Sequence, residues 1–211
     1  MAKIGIVYYS MYGSTFELAK ELAEGVRRDG GDPQLRRVAE LLPPEVIQEQ
    51  PGLRASIEAQ RDVELARVEE LPGFDGIVLG SPTRFGNMTA QLRNFLDQTG
   101  PLWAKGELSG KAAGFFTGAS TIHGGHESTI LTMSTFAFHH GMVVVPLGYA
   151  IAAQAGGTRT GGGPYGPSHW SPQEGKDGLD DDEIQIARLY GQHFHRISAQ
   201  LAGELRERKA A

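Results

Sequence analysis

The sequence contains no cysteine. This absence excludes disulfides, thiol catalysis, iron–sulfur clusters and thiolate zinc sites, so any redox chemistry must use a bound cofactor. No charge of one sign dominates, because 20 basic and 25 acidic residues leave a formal net charge of -5. The basic residues form no stripe with interleaved aromatic residues, so nucleic acid is disfavoured as a partner.

Long hydrophobic runs are also missing. The longest apolar stretch, residues 142–153, is broken by Pro146 and Gly148. It is shorter than the roughly 20 residues that a membrane-spanning helix needs. Strand-like residues begin at Lys3, which leaves no room for a signal peptide. We therefore expect a cytoplasmic protein without membrane insertion.

The chain has 211 residues, of which 40% are hydrophobic, and it contains 29 glycines. Length and composition are typical of one globular domain with many turns, so residues 1–211 are predicted to form a single domain.

Four short runs are apolar at consecutive positions, which is typical of strands covered on both faces. They span residues 4–9, 77–79, 112–116 and 142–147, and a weaker strand is predicted at residues 34–38. Helical spacing appears between and after these runs, most clearly from Ala187 to Leu205. The alternation predicts an α/β fold: a flavodoxin-like, doubly wound parallel sheet of five strands with helices on both faces.

Two segments exceed what a minimal version of this fold needs. Residues 39–72 are too long for a simple crossover and are predicted to form an insertion with a short helix and a loop. Residues 155–182 are rich in Gly, Pro and Ser and are predicted to form a long loop. Loops of such length are uncommon unless they serve a site or bind a neighbour.

The segment "SMYGST" follows the first predicted strand and precedes a helix, so it lies at the carboxyl edge of the sheet. Its hydroxyl groups, its backbone amides and Gly13 could hold a phosphate monoester. The lysine-containing triphosphate loop and the G-x-G-x-x-G dinucleotide fingerprint are both absent, which leaves a mononucleotide. The alternative is that Ser14 or Thr15 merely caps the helix.

Two further glycine-rich segments follow strands at the same edge. In "GSPTRFGNM", Pro82 and Gly86 fix a turn whose amides could face a flat heterocycle, with Phe85 and the Arg84 stem as apolar walls. The alternative places Arg84 on the surface and Phe85 in the core. The segment "TGASTIHGGHES" forms the third loop.

In this order and spacing, "YYSMYGST", "GSPTRFGNMTAQLRNFLDQTGPLWAKGELSGK" and "FHHGMVVVPLGY" resemble the WrbA family of flavodoxin-like NAD(P)H:quinone oxidoreductases. The resemblance runs almost end to end. It implies an FMN enzyme, usually a homotetramer, that takes hydride from NADH or NADPH and reduces quinones to hydroquinones by two electrons. Because both substrates are planar and a bound flavin would have one accessible face, we expect them to use one pocket in turn, by a ping-pong mechanism. The alternative is a flavodoxin-type electron carrier without substrate turnover.

The resemblance also implies roles for individual residues. Tyr12 would lie near the nicotinamide nucleotide as well as the flavin, and Trp103 would stack on the substrate ring. The third loop departs from the family's "STGTGGG" and is one residue longer, so its ring contacts stay open. The implied flavin-binding residues are Ser10, Met11, Tyr12, Gly13, Ser14, Thr15, Thr83, Arg84, Phe85, Gly118, Ala119, Ser120, Thr121, Ile122, His123, Gly124 and His139.

Trp103, His139 and His123 each have a competing interpretation. Trp103 could anchor its own subunit, and His139 could be an ordinary histidine at a helix C-terminus. His123, His126 and Glu127 suggest metal ligands, but no fourth ligand is evident and zinc prefers a fixed tetrahedral set. We therefore expect no metal.

Overall fold

The computed structural model describes residues 1–150, 157–172 and 178–210, with side chains described as far as residue 205. The strands are β1 (Lys3–Tyr8), β2 (Asp32–Arg37), β3 (Gly76–Pro82), β4 (Ala112–Ala119), β5 (Val143–Val144) and β6 (Ser168–Trp170). The helices are α1 (Ser14–Arg28), α2 (Pro44–Glu49), α3 (Pro51–Ala59), α4 (Ala90–Asp97), α5 (Gly100–Ala104), α6 (His126–His139) and α7 (Asp181–Ala210), with a 3-10 helix at Val68–Gly73.

The sheet is parallel and has the strand order β2-β1-β3-β4-β5, with β6 also paired to β4. Helices cover both faces. The predicted doubly wound α/β fold is therefore confirmed, and each predicted strand region contains an observed strand. The order reverses between β1 and β3, which is where ligands of such sheets bind at the carboxyl edge.

The fifth strand is split into two short pieces. β5 pairs with Ala112 and Ala113, whereas β6 pairs with the other end of β4, from Thr117 to Ala119. Since β3 occupies the opposite side of β4 throughout, β5 and β6 share one side. The prediction of a six-residue strand was therefore too long.

β6 also corrects the prediction of an uninterrupted loop over residues 155–182. A strand of three residues is too short to leave a periodic pattern in a segment rich in turn residues. Residues 155, 156 and 173–177 of that predicted loop lie outside the described residues.

The insertion at residues 39–72 contains more helix than predicted. It forms α2, α3 and the 3-10 helix rather than one short helix and a loop. Proline stands in the first turn of both α2 and α3, where its missing N–H costs no hydrogen bond. Leu53 and Ser56 of α3 are buried, so the insertion packs onto the domain.

Apolar side chains fill both sides of the sheet. On one side, Leu18 and Leu22 of α1 pack with Tyr190 and Phe194 of α7. On the other side, the cluster includes side chains from α4 and α6, such as Leu92, Phe95 and Met133. Among the described residues, no helix has both the length and the apolar character needed to cross a membrane.

Two glycines allow the backbones of α1 and α7 to touch. A Cβ at Gly191 would overlap the carbonyl oxygen of Leu22, and a Cβ at Gly25 would overlap the carbonyl oxygen of Arg188. Neither neighbour is a flexible side chain that could move aside. This contact fixes α1, which in turn holds the loop between β1 and α1.

Gly191→Ala is expected to lower the free energy of unfolding by about 1–3 kcal/mol, because the added methyl group meets rigid backbone. Gly203→Ala is the matched control on the same helix, since nothing lies within 4 Å of its added Cβ. That control should gain about 0.5–1 kcal/mol from helix propensity. Urea denaturation measures the free energy of unfolding of both variants. Equal changes for Gly191→Ala and Gly203→Ala would contradict the close contact between α1 and α7.

Candidate functional site

Main-chain hydrogen bonds join the loops at the carboxyl edge of the sheet. The N–H of Tyr9 donates to the carbonyl of Gly80 at 3.0 Å, and that of Thr83 donates to Gly118 at 2.8 Å. The loops enclose a cavity of about 470 Å³, a volume in the range of small-ligand sites. Its lining consists of Met11, Tyr12, Ser14, Thr15, Pro82, Thr83, Arg84, Gly118, Ala119, Ser120, Ser171 and Pro172.

The first loop presents backbone donors at this cavity. Within the part of the chain that the structure describes, the N–H groups of residues 11–15 have no protein acceptor. Ser10 Oγ accepts from the N–H of Phe16 at 3.1 Å, whereas Gly13 occupies the N-cap position with a φ of 98°. Neither Ser14 nor Thr15 caps α1, so that alternative is wrong.

Uncapped N–H groups at the start of α1 carry the positive end of the helix dipole. The hydroxyl-bearing residues Ser14 and Thr15 line the cavity beside them. Such a set of donors suits a phosphate group.

The second loop forms a tight hairpin. Arg84 and Asn87 exchange hydrogen bonds of 2.7 and 3.0 Å, and the two residues between them, Phe85 and Gly86, have φ values of 52° and 77°. Positive φ is ordinary for glycine but strained for a bulky residue such as phenylalanine. The Phe85 ring is fully exposed, so the alternative that placed it in the core is wrong.

Arg84 carries the single charge in the described lining of the cavity. Its Nη1 donates to the carbonyl of Thr83 at 2.9 Å, and its Nη2 contacts Met11 Sδ at 2.8 Å. The side chain is exposed and bridges the first and second loops. A cation without a nearby lining carboxylate favours an anionic ligand.

The third loop begins later than predicted. Gly118 and Ala119 are the last residues of β4, and they line the cavity together with Ser120. Thr121 and Gly124 form a turn in which the N–H of Gly124 donates to the carbonyl of Thr121 at 2.9 Å.

Ile122 and His123 line a different cavity of about 430 Å³, which also includes His126 and Glu127. His126 Nε2 lies 3.0 Å from the carbonyl oxygen of His169. Among the described residues, no cluster of three or more His, Cys, Asp or Glu side chains could hold a metal ion.

The structure places Trp103 and His139 together but away from the first cavity. They line a surface cavity of about 330 Å³ that shares none of the described lining residues of the first. Trp103 is 58% exposed, and His139 is exposed at the end of α6. Beside them, burial lowers the pKa of His140, whose Nε2 lies 3.0 Å from Thr99 Oγ1.

Sequence reasoning missed the fourth wall of the first cavity. Ser171 and Pro172 follow β6 directly, and the N–H of Ser171 donates to the carbonyl of Ala119 at 2.8 Å. This wall depends on a three-residue strand hidden in a segment rich in glycine, proline and serine. No sequence signal distinguishes it from the surrounding loop.

A buried carboxylate, Glu183, anchors this wall. It accepts hydrogen bonds from His169 Nδ1 at 2.8 Å and from the N–H groups of Gly161, Trp170 and Asp180 at 2.8, 3.0 and 3.1 Å. Burial favours the neutral carboxyl group, but the hydrogen bonds from His169 and these amides hold the pKa of Glu183 below its ordinary value. In the sequence, Glu183 is one of several acids at the start of α7 and gives no sign of burial.

Comparison with known proteins decides the family. Residues 2–157 match the family described as NADPH-dependent FMN reductase. The chain belongs to this family. A Geobacter sulfurreducens protein named NAD(P)H dehydrogenase (quinone) is 48% identical over 203 residues, covering 94% of this chain and 98% of its own. An Aromatoleum aromaticum protein of the same name is 45% identical over 201 residues, covering 94% of this chain and 97% of its own.

Solved structures agree on the fold. A flavodoxin, WrbA-like protein from Agrobacterium tumefaciens has a TM-score of 0.66 at 22% identity, covering 95% of this chain and 99% of its own. Oxidised flavodoxin 1 from Bacillus cereus has a TM-score of 0.55 at 17% identity, and the match covers 92% of this chain and 98% of the flavodoxin. These similarities show a flavodoxin-like fold for this chain.

Glu183→Ala is expected to lower the free energy of unfolding by about 3 kcal/mol at pH 7, because buried His169 and three backbone amides lose their acceptor. The lowered pKa of Glu183 means that its contribution is present above the ordinary glutamate pKa of about 4.3. That contribution is lost as pH falls through the lowered pKa. The free energies of unfolding of the wild type and of Glu183→Ala should therefore converge in acid.

Asp182→Ala is the matched control, since Asp182 is exposed in the same first turn of α7. It should change the free energy of unfolding by less than about 0.5 kcal/mol. Denaturant titrations at several pH values measure both variants. If the loss of unfolding free energy caused by Glu183→Ala does not change with pH, the charge of the Glu183 carboxylate does not contribute to stability.

Proposed function

We propose that this protein is an FMN-dependent NAD(P)H:quinone oxidoreductase. The observation that carries the proposal is the 470 Å³ cavity at the carboxyl edge, which combines unpaired backbone N–H groups, hydroxyl groups and Arg84 with no carboxylate in its described lining. Its relatives of 42–48% identity are named NAD(P)H dehydrogenase (quinone). Together these features support an anionic flavin as cofactor and a quinone as electron acceptor.

The first loop would hold the FMN phosphate through its free amides and the hydroxyl groups of Ser14 and Thr15. The second and third loops would hold the ring. When bound, FMN supplies hydride acceptance from NADH or NADPH and two-electron transfer to a quinone. The protein would position these partners.

One amide of the second loop is available to the ring. The N–H of Arg84 bonds to Asn87, and that of Gly86 donates to Thr83 Oγ1 at 3.1 Å. The N–H of Phe85 has no partner within the described part of the chain. We propose that this N–H donates to the N5/O4 edge of the ring, and that amides of residues 118–120, the part of the third loop that lines the cavity, face the N1/O2 edge.

Trp103 and His139 require a second subunit in this proposal. Both are exposed, and neither lines the flavin cavity of its own chain. We propose a cytoplasmic homotetramer in which these residues of one chain border the flavin cavity of another and cover the quinone, while Tyr12 contacts the nicotinamide nucleotide. An amphipathic tryptophan ring suits a planar substrate.

The direct test is a steady-state assay of the purified protein with FMN, NADH or NADPH, and benzoquinone. A yellow protein that bleaches with NADH and turns over quinone with parallel double-reciprocal lines supports the proposal. Bleaching without quinone turnover would instead indicate an electron carrier of the flavodoxin type. Intersecting lines would show that both substrates bind at once, contrary to a shared pocket.

Mixed oligomers test the roles of Trp103 and His139. Trp103→Ala should raise the quinone KM about tenfold while FMN affinity is unchanged, because the lost contact is to substrate alone. Ser14→Glu should abolish FMN binding, because it places a carboxylate against the phosphate. Coexpression of the two variants should restore quinone KM in part, since some flavin cavities would then face an intact Trp103.

A second mixture combines His139→Ala with Ser14→Glu. His139→Ala alone should raise the quinone KM, and the mixture should restore it in part. The control mixes wild type with Ser14→Glu and should show a normal quinone KM. If neither mixture has a quinone KM below that of Trp103→Ala or His139→Ala alone, these residues do not border the flavin cavity of another subunit.

A further inference from the structure

The insertion at residues 39–72 reaches the phosphate-binding loop through Gln60. This side chain follows the last residue of α3 and is only 4% exposed. Its Nε2 donates to the carbonyl and hydroxyl oxygens of Ser56, both at 2.9 Å, and to the carbonyl of Ser10 at 3.4 Å. The two hydrogens of this amide nitrogen are shared among three acceptors, two on Ser56 and one on the carbonyl of the loop.

The carbonyl of Ser10 controls the direction of the next amide. In a planar trans peptide, the C=O group and the following N–H point in opposite directions. Since Gln60 holds the Ser10 carbonyl on the side of the insertion, the N–H of Met11 faces the other way. Met11 lines the flavin cavity, and its N–H has no acceptor within the described part of the chain.

A second contact holds the same loop from the insertion. The hydroxyl group of Tyr12 donates to Gln50 Oε1 at 3.0 Å. Gly52 lies beneath the ring, where an added Cβ would be 3.6 Å from Tyr12 Cδ1. The insertion therefore contacts the loop at two residues, Ser10 through its carbonyl and Tyr12 through its side chain.

We propose that Gln60 is a positioning residue that sets the selectivity of the cavity for a phosphorylated flavin over an unphosphorylated one. It acts through the Ser10–Met11 peptide and does not touch the cofactor. The inference rests on the proposed function, because it takes the phosphate group of FMN to lie at this loop. It assigns the insertion to the flavin site of its own subunit.

The test compares the binding of FMN and riboflavin to flavin-free protein by quenching of flavin fluorescence. Gln60→Met keeps the length of the side chain but removes its donor. Loss of one oriented hydrogen-bond donor to the phosphate should raise the Kd for FMN about tenfold. The Kd for riboflavin, which has no phosphate group, should change by less than about twofold.

Ser198→Ala is the control for general loss of stability. Ser198 is fully buried in α7 and donates to the carbonyl of Phe194 at 2.7 Å, on a helix that contributes nothing to the described cavity lining. It should leave both flavin affinities unchanged. Gln60→Leu is a second variant to be used if Gln60→Met does not fold, and thermal unfolding confirms the folded state of each.

Three outcomes separate the possibilities. A loss of FMN affinity without loss of riboflavin affinity supports the proposal. Equal losses for both flavins, or no loss for either, would overturn the role of Gln60 and leave the proposed function intact. Wild-type protein that binds neither flavin, or binds both equally, would overturn the assignment of the phosphate to this loop and the inference with it.

Discussion

Main-chain hydrogen bonds that continue past the ends of the strands determine the shape of the candidate site. The ladder joins Tyr9 to Gly80, Thr83 to Gly118 and Ser171 to Ala119, so four loops leave the sheet in fixed register. No side chain takes part in these bonds. The cavity is consequently a property of the parallel sheet, and the packing of α1 against α7 maintains the position of the first loop.

This construction explains how a nearly neutral lining can suit a charged ligand. Free N–H groups at the start of α1 provide partial positive charge that needs no desolvated lysine. Arg84, which is exposed, adds a full charge at the edge without the cost of burying it. Selectivity then depends on the orientation of peptide groups, and residues behind the loop become as relevant to binding as those that line it.

The sequence was sufficient to predict the parallel fold and the convergence of three loops, because consecutive apolar residues and turn chemistry are local signals. It was insufficient for features that depend on long-range contacts. β6 has only three residues, and Glu183 resembles its exposed neighbours until α7 is packed beside His169. The separation of Trp103 and His139 from the cavity at the carboxyl edge likewise follows from where α5 and the end of α6 lie in space.

The division of the fifth strand has a consequence for the position of the fourth wall. β5 pairs with one end of β4 and β6 with the other, so the register of β6 is set without reference to that of β5. A displacement of β5 would therefore not pass through the sheet to Ser171 and Pro172. The two ends of this edge of β4 are structurally decoupled.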